Sequence, residues 1–535
     1  MKNNTKTISN TKSNTKTTSN TKSTAKPVSK TISSAAQVPP SVINISGVNS
    51  IEKDYDAVPY DSHAFAQTHP QHLRSIAKLF GLNAPELSTA RVLELGCASG
   101  GNLLSMAYRH PQTQFVGIDL SSKQIEQGKA NIAALGLNNL QLQHRSISDL
   151  NAADGLFDYI ICHGVYSWVP PEIQHAILSA CQNRLSPTGV AYISYNTYPG
   201  WKAKEMVRDA MLYRAKKGDT PEAALSMAKG MVDFLANSAA EGSVLKQQML
   251  EQRQQMSGFN DSYLQHEFLE QFNQPCYFEA FINKARSHQL EYLSETEIST
   301  IYLNNLGGNL PQDLFNECGH DQIAIEQYMD YLRNRTFRQT LLVHRDQHSL
   351  INYNTPASVW MECHYQAHYT AHTTLANHFV TPKGTSSLPT PWHQAVAQAL
   401  TAASPATLSA HQLLSIAQAT ESSVTQDNLI QMLSQQTQTG TMRFRCEPVI
   451  AASSNTILHN DSKPCADDFI RTYSRAFSHS SKSGELTNVW HEHIKFIDTY
   501  SAVLSQCDGE HTIDTLDNPN NVNLNIAYQH GLMLS

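Results

Sequence analysis

At 535 residues the chain is too long for one hydrophobic core and reads as two to four domains, and no run approaches ~18 uninterrupted apolar residues, which excludes a membrane-spanning helix. Nine cysteines (97, 162, 181, 276, 318, 363, 446, 465 and 507) stand without CxxC pairs, the usage expected of free thiols in the cytoplasm rather than of a disulfide framework. Residues 1–51 hold seven lysines and no acid, so the remainder sits near −14 against −7 for the whole chain, a poor footprint for nucleic acid.

The first segment, 1–50, repeats NTKT and NTKS with almost nothing apolar to bury, and is expected to be a solvated, disordered tail. Its lysines are of the kind that contact an acidic partner or a membrane surface. From 51 to 201 strands alternate with helices. The strand candidates are Arg91–Leu95, Gln114–Ile118, Leu140–His144, Tyr159–His163 and Val190–Tyr195. One helix opens at Ser121 with Gln124 at capping-box spacing, buries Ile125, Ile132 and Leu135, and stops at Gly136; another follows Pro170-Pro171. Short buried strands joined by helices predict a doubly wound, Rossmann-like α/β domain with a parallel sheet. Residues 202–273 read as a polar helical insertion. Residues 274–346 read as the completion of the sheet, with a helix-then-strand pattern at 278–294 and a strand at 337–344. The rest, 347–535, reads as mostly helical. Within it, about 390–450 gives two or three short helices and then "GTMRFRCEPVI", a β-wing pattern suited to a winged-helix-like module.

The chemistry concentrates in "RVLELGCASGGN". A P-loop requires GxxxxGK[ST], and no lysine follows here. A dinucleotide turn prefers GxGxxG, and Ala98 replaces the second glycine in Gly96-Cys97-Ala98-Ser99-Gly100-Gly101. The surviving reading is an S-adenosylmethionine (SAM) site. Such a site wants an acid at the end of the first strand, small residues in the turn, and a second acid after the second strand for the ribose hydroxyls. Glu94, Gly96, Gly100 and Asp119 stand in that order, and Ser148 and Asp149 follow strand three, where an acid can reach an adenine amino group. Asp158, ahead of the fourth strand, carries a structural reading as readily as a functional one.

"YDAVPY" (55–60) with "THP" (68–70), "ELGCASGGN" (94–102), "CHGVYSWVP" (162–170), "SYNTYPGWK" (194–202), "FNQPCYFEAF" (272–281) and "YLRNRTFRQTLLVHRD" (331–346) together resemble class I SAM-dependent methyltransferases that carry a methyltransferase regulatory domain. That group includes the rickettsial-type protein lysine methyltransferases acting on outer-membrane protein. The resemblance implies a homodimer, a protein lysine as acceptor, and a cofactor held by Glu94, Gly96, Gly100, Asp119, Ser148 and Asp149, with Tyr55 and Tyr60 closing over it. By position Cys97, Leu120 and His163 join the cofactor-lining set. No metal is called for: His364, His368 and His372 in "CHYQAHYTAH" have helical metal spacing, but the outer two would lie ~12 Å apart on a helix.

Methyl transfer is an in-line displacement that demands alignment above all. A lysine acceptor must first lose its proton, which burial and a nearby cation both favour, so no dedicated base is required. Groups at the carboxyl ends of strands four and five face the ligand crevice of such sheets. Tyr166, Trp168, Tyr195 and Asn196 are therefore the candidate acceptor pocket, holding the amine by cation–π contacts. Two rival expectations stand beside this one: a small-molecule or cell-surface metabolite acceptor, and a SAM-binding scaffold without catalysis.

Overall fold

The computed structural model describes residues 62–535 apart from 455, 457, 479–484, 497–498, 519–521 and 535. The 1–50 tail, Tyr55 and Tyr60 therefore lie outside the described residues.

A seven-stranded sheet organises the molecule. Its strands are β1 (Arg91–Leu95), β2 (Gln114–Asp119), β3 (Leu140–His144), β4 (Phe157–Cys162), β5 (Leu185–Asn196), β6 (Leu290–Glu295) and β7 (Phe337–His344), in the spatial order 3-2-1-4-5-7-6. The first five run parallel, and β7 inserts antiparallel between β5 and β6. Because side chains alternate along each strand, the sheet has two distinct apolar faces. Val92, Tyr159, Ile161 and Tyr192 pack with helices α1 (Pro70–Leu79) and α2 (Gly101–Arg109). Leu93, Leu95, Ile160, Cys162, Ile193 and Tyr195 pack with α4 (Pro171–Arg184) and α9 (Phe278–Ser287), α3 (Ser122–Ala134) lying on the first face through Ile125. The Ser121 hydroxyl accepts the Gln124 amide at 3.2 Å and so caps α3.

The elements differ from the sequence reading in instructive places. β4 starts at Phe157, two residues before the expected Tyr159, and ends at Cys162, which leaves His163 beyond the strand. β5 begins at Leu185 rather than Val190, with an irregularity opposite Asp158. Asp158 secures that edge: its carboxylate accepts the Arg91 amide at 2.9 Å and the Ser186 hydroxyl at 2.7 Å. It is a structural tie.

Between β5 and β6 four helices, α5 (Trp201–Ala215), α6 (Pro221–Ser238), α7 (Val244–Met256) and α8 (Asp261–Leu269), enclose a small core of their own around Met211, Leu225, Met249 and Phe268. After them α10 (Gln322–Arg333) packs on the sheet through a buried ion cluster. The Arg338 guanidinium on β7 meets Glu295 at 2.9 Å, Glu326 at 3.0 Å and Asp330 at 2.8 Å, with the Phe278 ring 3.7 Å away.

The C-terminal region carries α11 (Pro391–Ala403), α12 (Ala410–Thr420) and α13 (Gln426–Gln438) on a three-stranded sheet of β9 (Leu408–Ser409), β8 (His364–Gln366) and β10 (Arg443–Arg445). The expected β-wing is replaced: "RFR" pairs with the upstream strand β8 at the centre of the sheet instead of folding back on itself. That same strand takes in His364 of the histidine triad, so the helical metal spacing is not realised. Among the described residues no group of His, Cys, Asp and Glu is arranged to hold a metal ion, and no helix is long and apolar enough to cross a membrane.

Candidate cofactor and acceptor site

The turn from β1 into α2 is built from backbone conformations that few side chains tolerate. Gly96 and Gly100 have φ of +75°, and Ala98 between them sits at +46°, a conformation costing an alanine roughly 1–2 kcal/mol. A hydrogen bond to Asp119 holds it there, the Ala98 amide donating to the carboxylate at 2.8 Å. The Ser121 amide donates to the other Asp119 oxygen, also at 2.8 Å. Burial raises the Asp119 carboxyl above its ordinary value against these amides, and each oxygen keeps a lone pair for a ribose hydroxyl. The Gly96 and Cys97 amides bind the Ile118 carbonyl, tying β1 to β2, and Gly100 closes the turn onto Cys97. Burial pushes the Cys97 thiol well up, so it fills space as an uncharged group.

Glu94 is the unusual group. It is buried and its Oε1 accepts from the Asn102 amide at 2.8 Å, while its Oε2 is buried with no hydrogen-bond partner. Burial pushes its carboxyl up to about 8, the Asn102 bond opposing this and nearby Asp119 adding to it. An orphaned carboxylate oxygen beside a second acid is costly unless a cation or an ammonium group comes to it. The amino-acid end of SAM carries such a group, so the donor set fits this cofactor.

Of the remaining candidates, Leu120 is half-buried and its carbonyl accepts from His144 at 2.8 Å. Asp149 is exposed and one of its oxygens caps its own short helix through the Ser146 amide at 3.2 Å, with Ser148 in the same turn. His163, just past β4, has its Nδ1 2.8 Å from the Tyr192 hydroxyl and its ring centroid 4.0 Å from that of Phe65. Burial lowers it to about 3, so it is neutral at pH 7.

The acceptor-pocket residues divide by sheet face. Tyr195 is a correction: its ring is stacked on Phe281 at 4.1 Å and its hydroxyl is within 3.0 Å of Thr340, on the face opposite the cofactor turn. Tyr166 lies in the same buried cluster, edge-on to Phe281 at 5.1 Å, with its hydroxyl buried and without a hydrogen-bond partner. Period-2 alternation along β5 instead sets Tyr192, Ser194 and Asn196 on the Glu94 face, opposite Leu341, Gln339 and Phe337 of β7. The Asn196 backbone amide donates to the Ser167 hydroxyl at 2.9 Å and its side-chain amide to the Asn273 carbonyl oxygen at 3.4 Å, where the half-buried Trp168 meets Trp201 edge-on.

Of the strap of residues 62–69 that crosses this end of the sheet, the sequence reading marked only Thr68 and His69, in "THP", and not Ser62, Phe65 or Gln67. The Ser62 hydroxyl accepts the Gly101 amide at 2.8 Å, and a methyl on Gly101 would lie 2.1 Å from the Ser62 carbonyl oxygen. Phe65 covers His163, and the Gln67 side chain hydrogen-bonds Tyr192. From Ala66 and Gln67 a cavity of about 420 Å³ runs between Thr296 and Gln339 on one wall and Arg445 and Trp490 of the C-terminal region on the other.

The family described as "Methyltransferase domain" matches residues 92–189, and the one described as "Predicted methyltransferase regulatory domain" matches 260–344. The chain is 42% identical over 307 residues to the uncharacterized protein RP789 of Rickettsia prowazekii, covering 57% of this chain and spanning about half of that protein (55%). It is 42% identical over 240 residues to RP028 of the same organism, covering 45% of this chain and 96% of that one. The structure of PKMT2 from Rickettsia typhi in complex with AdoHcy superposes with a TM-score of 0.72 at 30% identity, covering 85% of this chain and 90% of that chain. The chain belongs to the class I SAM-dependent methyltransferases with a methyltransferase regulatory domain. Strands β6 and β7 of this methyltransferase fall inside its regulatory match, so that segment is part of the catalytic sheet.

Proposed function

We propose that the chain transfers a methyl group from SAM to the side-chain amine of a lysine in a protein acceptor. The observation that carries this reading is the orphaned Glu94 oxygen beside Asp119, on the sheet face that Tyr192, His163 and Phe65 also cover. The cavity lies between Ala66 and Gln67 of the strap and the C-terminal region.

SAM, when bound, supplies an electrophilic methyl on a sulfonium. The chain's own groups hold and shield it. Glu94 receives the ammonium end and Asp119 the ribose hydroxyls, with the Gly96–Gly100 turn giving backbone room between them. His163 stays uncharged and so sets no positive charge against a cationic donor. The Phe65 ring and the surrounding buried groups exclude water, which favours the neutral, nucleophilic form of a lysine amine. Trp168 and Asn196 border the same end of β5. A cavity of this size, walled by the C-terminal region, has room for one extended side chain such as that of a lysine. The likeness to a protein named PKMT2 supports the same acceptor class.

The test is incubation of the full chain with methyl-labelled SAM and a fractionated cell extract. Label recovered as methyllysine after protein hydrolysis is the expected result. Label in small-molecule or lipid fractions overturns the acceptor assignment, and tight SAM binding without label anywhere turns the reading to a scaffold.

A further inference from the structure

Asn102, in the first turn of α2, is where two distant parts of the chain meet the cofactor turn. Its Nδ2 donates to Glu94 at 2.8 Å and to the Thr68 hydroxyl at 3.0 Å. Its Oδ1 accepts the Phe65 amide of the strap at 3.0 Å and stands 2.9 Å from Nε2 of His491, in the C-terminal region. The Nδ1 of His491 is in turn 2.9 Å from the Ser105 hydroxyl. All of Glu94, Asn102, Ser105 and His491 are buried.

These contacts admit one consistent set of directions. An ionised Glu94 can only accept, so Asn102 must present its amide nitrogen there and its oxygen to the other side. That oxygen needs donors, which makes Nε2 of His491 the protonated nitrogen and Nδ1 the acceptor for Ser105. Were the Asn102 amide rotated by half a turn, its oxygen would oppose the Glu94 carboxylate and its NH2 would oppose the Phe65 N–H. The histidine is delivered by a backbone in an unfavourable conformation, at φ +61°. Asn488 braces that turn by accepting the Trp490 amide at 2.9 Å and the Glu492 amide at 2.8 Å. Trp490 anchors it by donating from its ring nitrogen to the Pro405 carbonyl at 2.7 Å.

We propose that His491 is a positioning residue for SAM binding, which fixes Asn102 so that its amide favours the ionised form of Glu94 and aims it at the ammonium end of the cofactor. The proposal rests on Glu94 being a cofactor ligand. It makes the C-terminal region part of the cofactor site, so that affinity for SAM depends on how that region is seated. The groups facing Glu94 are Asp119, Cys97 and Cys162; burial first, then Arg109, His110 and Arg445 keep His491 neutral, with the His69 ring edge-on to it.

The experiment measures AdoHcy binding to the full chain by calorimetry from pH 6 to 9.5, for wild type, His491→Ala, His491→Gln and Glu94→Gln. Wild-type affinity should rise with pH to a midpoint near that of Glu94. His491→Ala should weaken binding about tenfold and move the midpoint to higher pH. His491→Gln, whose amide nitrogen can still donate to Asn102, should restore both. His491→Phe fills the same volume without a donor and stands in if the alanine variant does not fold. A midpoint unmoved in both donorless variants overturns the relay, whatever happens to the melting temperature. Wild-type binding by Glu94→Gln overturns the prior assignment of Glu94, a result separable from the first.

Discussion

Replacing Glu94 by glutamine should make the ligand-free protein more stable while destroying its affinity for SAM. Glutamine keeps an oxygen for the Asn102 amide, which donates to Glu94 at 2.8 Å, and removes the charge on a side chain whose other oxygen is buried and unpartnered. A carboxyl that titrates about 8 in the fold and near 4.5 unfolded binds its proton more tightly when folded. Its contribution to stability is therefore fully present below pH 4.5 and is lost as pH rises through about 8. The full loss is on the order of 3–5 kcal/mol, reduced by whatever water or structural relaxation reaches the ionised group. Differential scanning fluorimetry of wild type and variant from pH 5 to 9 isolates this group, because every other titration is common to both. The stability gap should widen with pH and level off above about 8. Titration with AdoHcy should show binding weakened by at least tenfold, the loss of one charge-assisted contact. A gap that is flat across the pH range, or one that favours wild type at pH 8, would refute the picture of an uncompensated buried carboxylate.

Arg338→Met should cost about 3–5 kcal/mol in urea denaturation, because it leaves Glu295, Glu326 and Asp330 buried without their shared cation; a loss below about 1 kcal/mol would mean the cluster is solvated. Gly101→Ala should lift the strap from α2, since the new methyl would lie 2.1 Å from the Ser62 carbonyl oxygen. AdoHcy binding should fall about tenfold with circular dichroism unchanged, and wild-type binding would show that the strap does not close the site. Cys446, half-buried and lowered from the ordinary thiol range by the neighbouring Cys363 thiol, should be alkylated by iodoacetamide at pH 7.5 before the buried thiols of Cys97, Cys162 and Cys181. Cys363→Ala should slow that reaction, and peptide mapping that finds one of those three labelled first would count against the pairing.

The sheet was legible because its evidence is local. Runs such as "RVLEL" and "QFVGID" have the apolar density of strands buried on both faces, and glycines and caps mark the turns between them. The Glu94 and Asp119 pair was legible for the same reason, each acid closing a strand. What failed was parity: Tyr195 and Tyr192 are three residues apart in one strand, and only the face covered by α1 and α2 meets the cofactor turn. The alternation was readable, but which face would carry the turn was not, since that depends on how α1 and α9 divide the sheet. The strap residue Phe65 gave no signal, being one aromatic in a polar stretch. His491 gave none either, because its partner is 389 residues away and no local pattern encodes such a pairing.

That separation has a consequence in time. Protein synthesis adds roughly 5–20 residues per second, so on the order of 20–80 s pass between the emergence of Asn102 and that of His491, 389 residues later. Over that interval the growing chain already carries the glycine turn and both acids, and β7 has yet to appear for most of it. A half-made polypeptide thus presents the chemistry of the pocket without its last buried donor. The order of translation thus delays this contact of the cofactor site until the C-terminal region has been made.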